Sequence, residues 1–314
     1  MGSMNCKCVG DQFKGLDVEI DSLGKRKLKN QEPPTAEVTI DLILPFSGNF
    51  GDLPISQEVL STVNSLPPFN FSSEPPNIRE WKKIKLKDGS VYIGELSKNI
   101  PNGRGIMALP DKSLIEGHWE NGVLNGNARV IHSSQDYYLG NFIDGKKQGW
   151  GILVTASGNT YEGYWRKDKQ HGHGKEKCED GTDYNGEFKH GYKQGYGNIS
   201  WIDGSTYIGQ FRKNNIEGEG IYKWFDGKMY TGSWIDNKMH GYGKFEWPNG
   251  KVYEGEFFMD KKQGQGTISW PSGKKYEGSW CNGKQHGVGC ITNQNGETRK
   301  GEWNFGSRIR WLDQ

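Results

Sequence analysis

The chain has 314 residues, including 46 glycines and 12 tryptophans, and only 33% of its residues are hydrophobic. Because globular chains are typically about 45–50% apolar, this composition argues against a thick layered core, while the 12% aromatic content argues against disorder. The net charge of +2 requires neither a nucleic acid nor an acidic partner. Five scattered cysteines, without an apolar signal segment or a stretch of about 18 apolar residues, favour a reduced cytoplasmic setting.

Composition changes sharply near residue 80. Residues 1–80 carry 8 of the 12 prolines and no tryptophan, and their 7 basic and 11 acidic side chains sum to −4. The remaining residues hold every tryptophan and sum to +6, from 33 basic and 27 acidic side chains. We therefore predict an N-terminal arm over residues 1–80 and a second domain over residues 81–314.

The first eight residues resemble an N-myristoylation start. Gly2 would accept myristate after removal of Met1, and Cys6 and Cys8 would accept palmitate as a second anchor. A basic cluster would add attraction to an anionic membrane surface: Lys25, Arg26, Lys27 and Lys29. The alternative is translation from Met4, which leaves the chain without this anchor.

Two short elements are predicted in the rest of the arm. Apolar and polar residues alternate over residues 38–46, which indicates a strand. Apolar residues between 55 and 66 have helical spacing, and Pro54 and Pro67 bound this segment. We expect a short helix there, packed either on the following domain or on a partner, and an irregular arm elsewhere.

Residues 92–314 repeat every 23 residues without an insertion. With Tyr92 as position 1, position 1 is tyrosine in eight of ten units, position 3 is glycine in all ten, and position 5 is aromatic in nine. Position 12 is glycine in nine successive units, and position 14 is glycine in eight of these. Each repeat is named below by its residue at position 1.

The 23-residue period can be interpreted as two strands per repeat, because side chains alternate between the two faces of a strand. Positions 1, 3 and 5 share one face of an extended strand, positions 12, 14, 16 and 18 share one face of a second, and Asp-Gly or Asn-Gly pairs mark a turn between repeats. We predict an all-β fold: an elongated, single-layer, twisted antiparallel sheet of about ten 23-residue β-hairpin repeats. We expect each aromatic ring to lie across a neighbour's backbone, in slots left by the glycines.

The segments Tyr161–Trp165 and Tyr276–Trp280, with the glycine pairs that follow them, resemble the MORN (membrane occupation and recognition nexus) repeat. The resemblance covers about residues 81–314, and the units that depart from it lie near the two ends, as is usual for capping repeats. It implies a β-hairpin array that serves in cytoskeletal, ciliary or membrane-contact assemblies.

No constellation of residues predicts catalysis, and we expect a protein without enzymatic activity, metal or cofactor. His171, His240 and His286 recur at position 11, but equivalent positions in successive repeats are about 9–10 Å apart, too far to share an ion. Cys281 and Cys290 are interpreted as buried thiols, near each other across a hairpin.

Four tryptophans at position 18 of consecutive repeats form a predicted ladder along the sheet: Trp201, Trp224, Trp247 and Trp270. They either pack only on neighbouring repeats or also receive a helix or an extended segment of a partner protein. With them we assign to a partner groove five further aromatic residues: Tyr161, Trp165, Tyr207, Tyr230 and Trp234.

The leading hypothesis is a scaffold that binds proteins along the repeats, tethered by its N-terminus to a membrane or built into a cytoskeletal or ciliary complex. One alternative is a phosphoinositide-binding module, although the basic residues of the repeats are interleaved with acidic ones. Another is a structural subunit of the ciliary axoneme, similar to radial-spoke head proteins. The terminal sheet edges leave pairing with a second copy open.

Overall fold

The structure, a computed structural model, describes residues 41–43, 50, 53–71 and 80–312. The chain forms two compact units, which divide between Glu179 and Asp180. Within the described residues, none of the helical structure is long and apolar enough to cross a membrane. All seven residues predicted to anchor the chain to a membrane lie outside the described part: Gly2, Cys6, Cys8, Lys25, Arg26, Lys27 and Lys29.

In the unit that ends at Glu179, one helix and ten strands are described, and each strand pairs antiparallel with the next in the chain. They are β1 (Asp41–Ile43), α1 (Gln57–Ser65), β2 (Trp81–Lys85), β3 (Val91–Ser97), β4 (Ile100–Ala108), β5 (Leu114–Glu120), β6 (Val123–Ile131), β7 (Tyr137–Ile143), β8 (Lys146–Val154), β9 (Thr160–Arg166) and β10 (Lys169–Lys177). The strand predicted over residues 38–46 is present in its described portion as β1.

From Asp180 onward, twelve strands are described, again each antiparallel to the next. They are β11 (Asp183–Lys189), β12 (Tyr192–Ser200), β13 (Thr206–Arg212), β14 (Asn215–Lys223), β15 (Met229–Ile235), β16 (Lys238–Glu246), β17 (Val252–Phe258), β18 (Lys261–Ser269), β19 (Lys275–Cys281), β20 (Lys284–Thr292), β21 (Thr298–Asn304) and β22 (Ser307–Trp311). The predicted all-β fold of antiparallel hairpin repeats, with one short helix before it, is confirmed.

The two strands of a repeat are joined by a two-residue turn at positions 7 and 8. In the Tyr207 repeat these are Lys213 and Asn214, with φ of 49° and 72°. Two consecutive positive φ values are typical of a type I′ turn, which matches the twist of a hairpin and favours Asn, Asp or Gly. Position 8 carries only these three residue types throughout the array. This turn within each repeat was not among the turns predicted from the sequence.

The turn between repeats is the Asp-Gly turn predicted from the sequence. In the turn before β13, Gly204 has φ of 86°, and the Trp201 backbone N–H donates to the Ser205 carbonyl at 3.0 Å. The Asp203 carboxylate accepts the Ser205 N–H at 2.8 Å, which satisfies a donor that no strand pairs.

A bulge interrupts each hairpin after position 3, except the last, β21–β22, where it follows position 4. In the Tyr207 repeat Gly209 pairs with Gly220 and Phe211 with Ile216, so three residues of β14 lie opposite one of β13. Gly218, at position 12 within this bulge, has φ of 70°, and a Cβ there would meet the Gln210 side chain. Position 12 is therefore glycine because the bulge needs a left-handed residue, not because a ring covers it, which corrects the sequence interpretation.

The glycines at positions 3 and 14 do form the predicted slot. A Cβ on Gly209 or Gly220 would overlap the phenol of Tyr207, which is fully buried. The ring covers the glycine pair of its own hairpin, whereas the sequence analysis expected a neighbour's backbone. The Tyr207 hydroxyl donates to the Gln210 carbonyl at 3.1 Å, a group released from the ladder by the bulge.

This tyrosine hydrogen bond recurs in all eight repeats that have tyrosine at position 1, with distances of 2.9–3.4 Å. The ring at position 5 then packs edge-to-face between two tyrosines. Trp234, for example, lies 5.8 Å from Tyr207 and 5.0 Å from Tyr230 between ring centroids. Alternating edge-to-face rings thus form the core, which explains how so few aliphatic residues suffice.

The second repeat lacks both the tyrosine of position 1 and the glycine of position 14 that it would cover. Ile115 replaces the tyrosine at position 1, and Ala128 replaces the glycine at position 14, where it is fully buried. Because no phenol lies over this pair of strands, the alanine methyl group fits where a ring lies elsewhere. The two substitutions compensate each other.

The arm helix packs on the first repeats, on the sheet face opposite the tyrosines, which we call the back face. α1 begins at Ser56, whose hydroxyl accepts the Val59 N–H at 3.2 Å, and it buries Val59 and Val63. The cluster around them contains Leu53, Val59, Val63, Trp81, Ile93, Ile106, Ala108, Leu114 and Ile131. Of the two sites expected for the helix, the structure shows the one on the following repeats.

A buried ion pair fastens the segment after α1 to the same face. Arg129 pairs with Glu116 at 2.5 Å and donates to the Pro67 carbonyl at 2.7 Å. Both charged side chains are almost completely buried, and the guanidinium also lies 5.8 Å from the Phe69 ring centroid. The pair satisfies two charges that would otherwise be costly to bury.

Candidate partner-binding surface

Rings in contact with one another run along the front face, the sheet face that carries the tyrosines of position 1, and all of them except the buried Tyr222 are partly exposed. Trp201 stacks on Tyr222 at 5.3 Å, Tyr222 contacts Trp224 at 4.5 Å, and Trp224 lies 5.3 Å from Phe245. Phe245 in turn lies 4.4 Å from Trp247. We call these five rings the ring stripe. It lies entirely within the unit that begins at Asp180.

The backbone fixes the position of each ring. Position 16 lies near the end of the second strand, and position 18 opens the turn to the next repeat. At Trp224, the backbone N–H donates to the Lys228 carbonyl and the carbonyl accepts the Gly227 N–H, both at 2.9 Å. Positions 16 and 18 have the same parity, so their rings leave the sheet on the same face and alternate. The stripe is therefore a rigid feature of the fold.

The structure separates the nine residues assigned to a partner groove into two groups. Five lie in the core, between 0% and 5% exposed, and they pack edge-to-face within the repeats: Tyr161, Trp165, Tyr207, Tyr230 and Trp234. A partner cannot reach these rings, so their assignment to a contact surface is replaced by a core role. The four that remain partly exposed are Trp201, Trp224, Trp247 and Trp270.

Sequence reasoning missed two members of the stripe, Tyr222 and Phe245. Both occupy position 16, where the other repeats of this unit have the aliphatic residues Ile199, Ile268 and Ile291. The signal was available, because only these two repeats place an aromatic residue two positions before a tryptophan. The first four repeats have no aromatic residue at position 18. The stripe is accordingly a property of the later repeats.

Three lysines lie beside the end of the stripe. The Lys251 ammonium lies 4.1 Å from the Trp247 ring centroid, and the Lys274 ammonium 5.4 Å from that of Trp270. The Lys262 ammonium lies 5.2 Å from Trp247 and 5.1 Å from Tyr253. Partial burial, together with the charge of Lys251, lowers the pKa of Lys262 to about 8.

Comparison with known families decides the classification. The MORN-repeat family model matches nine consecutive segments, residues 92–113, 116–134, 138–160, 161–183, 184–206, 207–229, 230–252, 253–275 and 276–298. The chain belongs to the MORN-repeat family. No curated protein matches the chain as a relative.

Among solved structures, this MORN-repeat chain is similar to TCP domains at low identity. A mutant TCP10 domain of CPAP from Danio rerio is 12% identical with a TM-score of 0.35, over 69% of this chain and 95% of that one. The SAS-4 TCP domain of Drosophila melanogaster, solved with a proline-rich motif of Ana2, is 13% identical with a TM-score of 0.29, over 68% and 99%.

Of the three histidines at position 11, His286 has a structural explanation. In several repeats the side chain at position 11 accepts the N–H of position 7 in the next repeat, as the side-chain Oε1 of Gln263 does from Asn282 at 3.1 Å. The His286 Nδ1 atom accepts the Phe305 N–H in the same way at 3.4 Å. Among the residues that the structure describes, no three His, Cys, Asp or Glu side chains converge as a metal site.

The two cysteines of the last MORN repeats are not cross-strand neighbours. Cys281 pairs with Lys284, and Cys290 pairs with Glu277 further along the same two strands. Both are free thiols and only partly buried. The expectation that they are near each other and fully buried is therefore wrong.

Proposed function

We propose that the chain is a non-enzymatic scaffold that binds a protein partner along the ring stripe. The observation that carries this proposal is the continuous row of ring contacts on the front face, in which four of the five rings are partly exposed although these repeats already have a complete aromatic core. Aromatic residues dominate the binding energy of protein interfaces because they combine a large apolar area with little conformational freedom.

The stripe can supply part of the binding energy of a larger interface. Covering roughly 50 Å² of exposed surface on each partly exposed ring contributes about 1 kcal/mol per ring at about 25 cal/mol per Å². The four partly exposed rings then supply about 4 kcal/mol, the contribution of a small group of anchor residues within an interface. The rings are held by the backbone before binding, so little side-chain entropy is lost.

Affinity purification from cells with the full chain tests this function. Replacing Trp224 and Trp247 by leucine removes the rings and retains apolar volume, and Leu109 occupies the same position in the first repeat. We expect at least one partner to be retained by the wild type and lost from this double variant. The control replaces Ile208 and Tyr242, which are 62% and 61% exposed, by alanine.

The control variant is expected to retain the partner, because Ile208 and Tyr242 lie on the back face. Thermal melting of both variants establishes that they are folded. The proposal is refuted when the leucine variant is folded and captures the same proteins as the wild type. It is also refuted when both variants lose the partner equally, since the front face is then not selective.

The finer roles implied by the family are proposals as well. A membrane tether through acylated Gly2, Cys6 and Cys8, and assembly into a cytoskeletal, ciliary or axonemal complex, are alternative settings for the same scaffold. Mass spectrometry of the N-terminal peptide from native tissue separates them: an acylated Gly2 supports the tether, and an N-terminus at Met4 removes it. Size-exclusion chromatography with light scattering tests association with a second copy.

A further inference from the structure

The three lysines beside the ring stripe form a separate chemical feature, which we call the lysine cluster: Lys251, Lys262 and Lys274. Each ammonium lies between 4.1 and 5.4 Å from the centroid of a tryptophan ring, Trp247 or Trp270. The cluster thus places two positive charges on Trp247, the last ring of the stripe, and a third on Trp270, one repeat further along the sheet.

The cluster has no counter-charge among the described residues. Three other lysines of this unit are paired with carboxylates, among them Lys228 with Asp226 at 2.6 Å and Lys244 with Glu246 at 2.8 Å. Lys228 occupies position 22, as Lys251 and Lys274 do, but the acidic residue two places before it is replaced in their repeats by Asn249 and Ser272. None of the three clustered lysines has a described carboxylate within the 4.0 Å of an ion pair.

Two of the three charges also disfavour one another. Partial burial beside the Tyr253 and Trp280 rings and repulsion from Lys251 hold the pKa of Lys262 well below its usual value. A carboxylate placed among the lysines would relieve this repulsion, and it would act in a partly desolvated setting, where charge-assisted hydrogen bonds are strongest.

We propose that the lysine cluster binds the carboxylates of an acidic segment in a protein partner, while apolar side chains of that segment lie on the ring stripe. Lys251 and Lys274 occupy the same position of successive repeats, about 9–10 Å apart at two strand spacings. In a polyproline II segment, side chains three residues apart lie on the same side and are separated by about 9 Å, so acidic residues spaced by three match the two lysines. A side chain also reaches the partly buried Lys262 more readily than a flat bilayer surface does.

Selection from a random 16-residue peptide library on the immobilised full chain tests this inference. We expect enriched peptides to be rich in Asp and Glu next to aliphatic or aromatic residues. Replacing Lys251 and Lys274 by glutamine should weaken the selected peptides by about tenfold or more, because two charge-assisted contacts are lost. The matched control replaces Lys244 and Lys275, which pair with acidic residues on the back face, and should change affinity less than about twofold.

Neutral or basic enriched peptides, an absence of enrichment, or equal loss in both lysine variants each overturn the inference. Flotation with phosphatidylcholine vesicles, with and without 5% phosphatidylinositol bisphosphate, tests the lipid alternative. Vesicle binding that requires Lys251 and Lys274, without acidic peptides, assigns the cluster to lipid and also overturns the inference.

The inference rests on the proposed scaffold function, and the two fail separately. A cellular partner that requires Trp224 and Trp247 but binds the Lys251→Gln, Lys274→Gln variant as strongly as the wild type leaves the scaffold in place. That result overturns only the acidic character assigned to the partner.

Discussion

The contact between the tyrosine of position 1 and the glycine of position 14 makes a quantitative prediction. In Gly220→Ala, the new methyl group overlaps the Tyr207 ring, and the Gly243 and Gly266 contacts show that this geometry recurs in later repeats. Overpacking a close-packed core costs about 1–3 kcal/mol. The second repeat avoids this overlap, because it carries Ile115 with Ala128 and has no ring at this place.

The double-mutant cycle therefore combines Gly220→Ala with Tyr207→Ile. Tyr207→Ile alone should cost about 3 kcal/mol, because it removes the ring and leaves the Gln210 carbonyl without its donor. With isoleucine in place, the alanine should be neutral or stabilise by about 0.5–1 kcal/mol, since it reduces the entropy of the unfolded chain. The coupling between the two sites is then about 2–3 kcal/mol.

Urea denaturation of the wild type, both single variants and the double variant, followed by far-UV circular dichroism, measures this coupling. Gly204→Ala is the control, because nothing lies within 4 Å of its Cβ and its cost comes only from a φ of 86°. Its effect should be the same with Tyr207 or Ile at position 207. Additive costs for Gly220→Ala and Tyr207→Ile, within about 0.5 kcal/mol, would refute the ring-over-glycine core.

Three further predictions concern turns, buried charge and pH. Asn214→Ala should lower the free energy of unfolding, measured by urea denaturation, by about 1–2 kcal/mol, because it loses the 2.8 Å hydrogen bond from the Lys193 N–H and strains a φ of 72°. Asn214→Gly should cost less, because glycine adopts this φ without strain. Equal costs for the two variants would contradict the turn assignment. Arg129→Met should lower the free energy of unfolding by about 3–5 kcal/mol, because it leaves Glu116 buried without its partner. It should also speed proteolysis within residues 53–71, and an unchanged cleavage rate would contradict the role of this ion pair. The pKa of Lys262 falls from 10.5 in the unfolded chain to about 8, so the unfolded state binds more protons between these values and wild-type stability rises with pH across that window. Lys262→Met, which copies Met239 at the same position, should reduce this rise by on the order of 1 kcal/mol after allowing for partial exposure. Burial also lowers the pKa of Lys147 to about 8, so its contribution persists, and a rise as large as that of the wild type would count against the role of Lys262.

The 23-residue period alone predicted the antiparallel hairpins, the turn at Asp203-Gly204 and the aromatic core. Strand parity, however, assumes a regular strand, and it fails where a bulge inserts residues. Parity therefore placed Gly218 under a ring, although Gly218 lies within the bulge and has a left-handed backbone conformation. Parity also does not predict how deeply a side chain is buried. Trp234 and Trp224 are both on the front face, yet only Trp234 is fully covered by its neighbours.

Photo-crosslinking in cells tests most directly whether the ring stripe is the surface that partners contact. Benzoylphenylalanine placed at Trp224 lies on the front face among the rings, and at Ile208 it lies on the exposed back face of the same repeat. We predict a protein adduct from position 224 and none from position 208. Adducts from position 208 alone, or from neither position in a chain that still captures its partner, would contradict the assignment of the partner surface to the stripe.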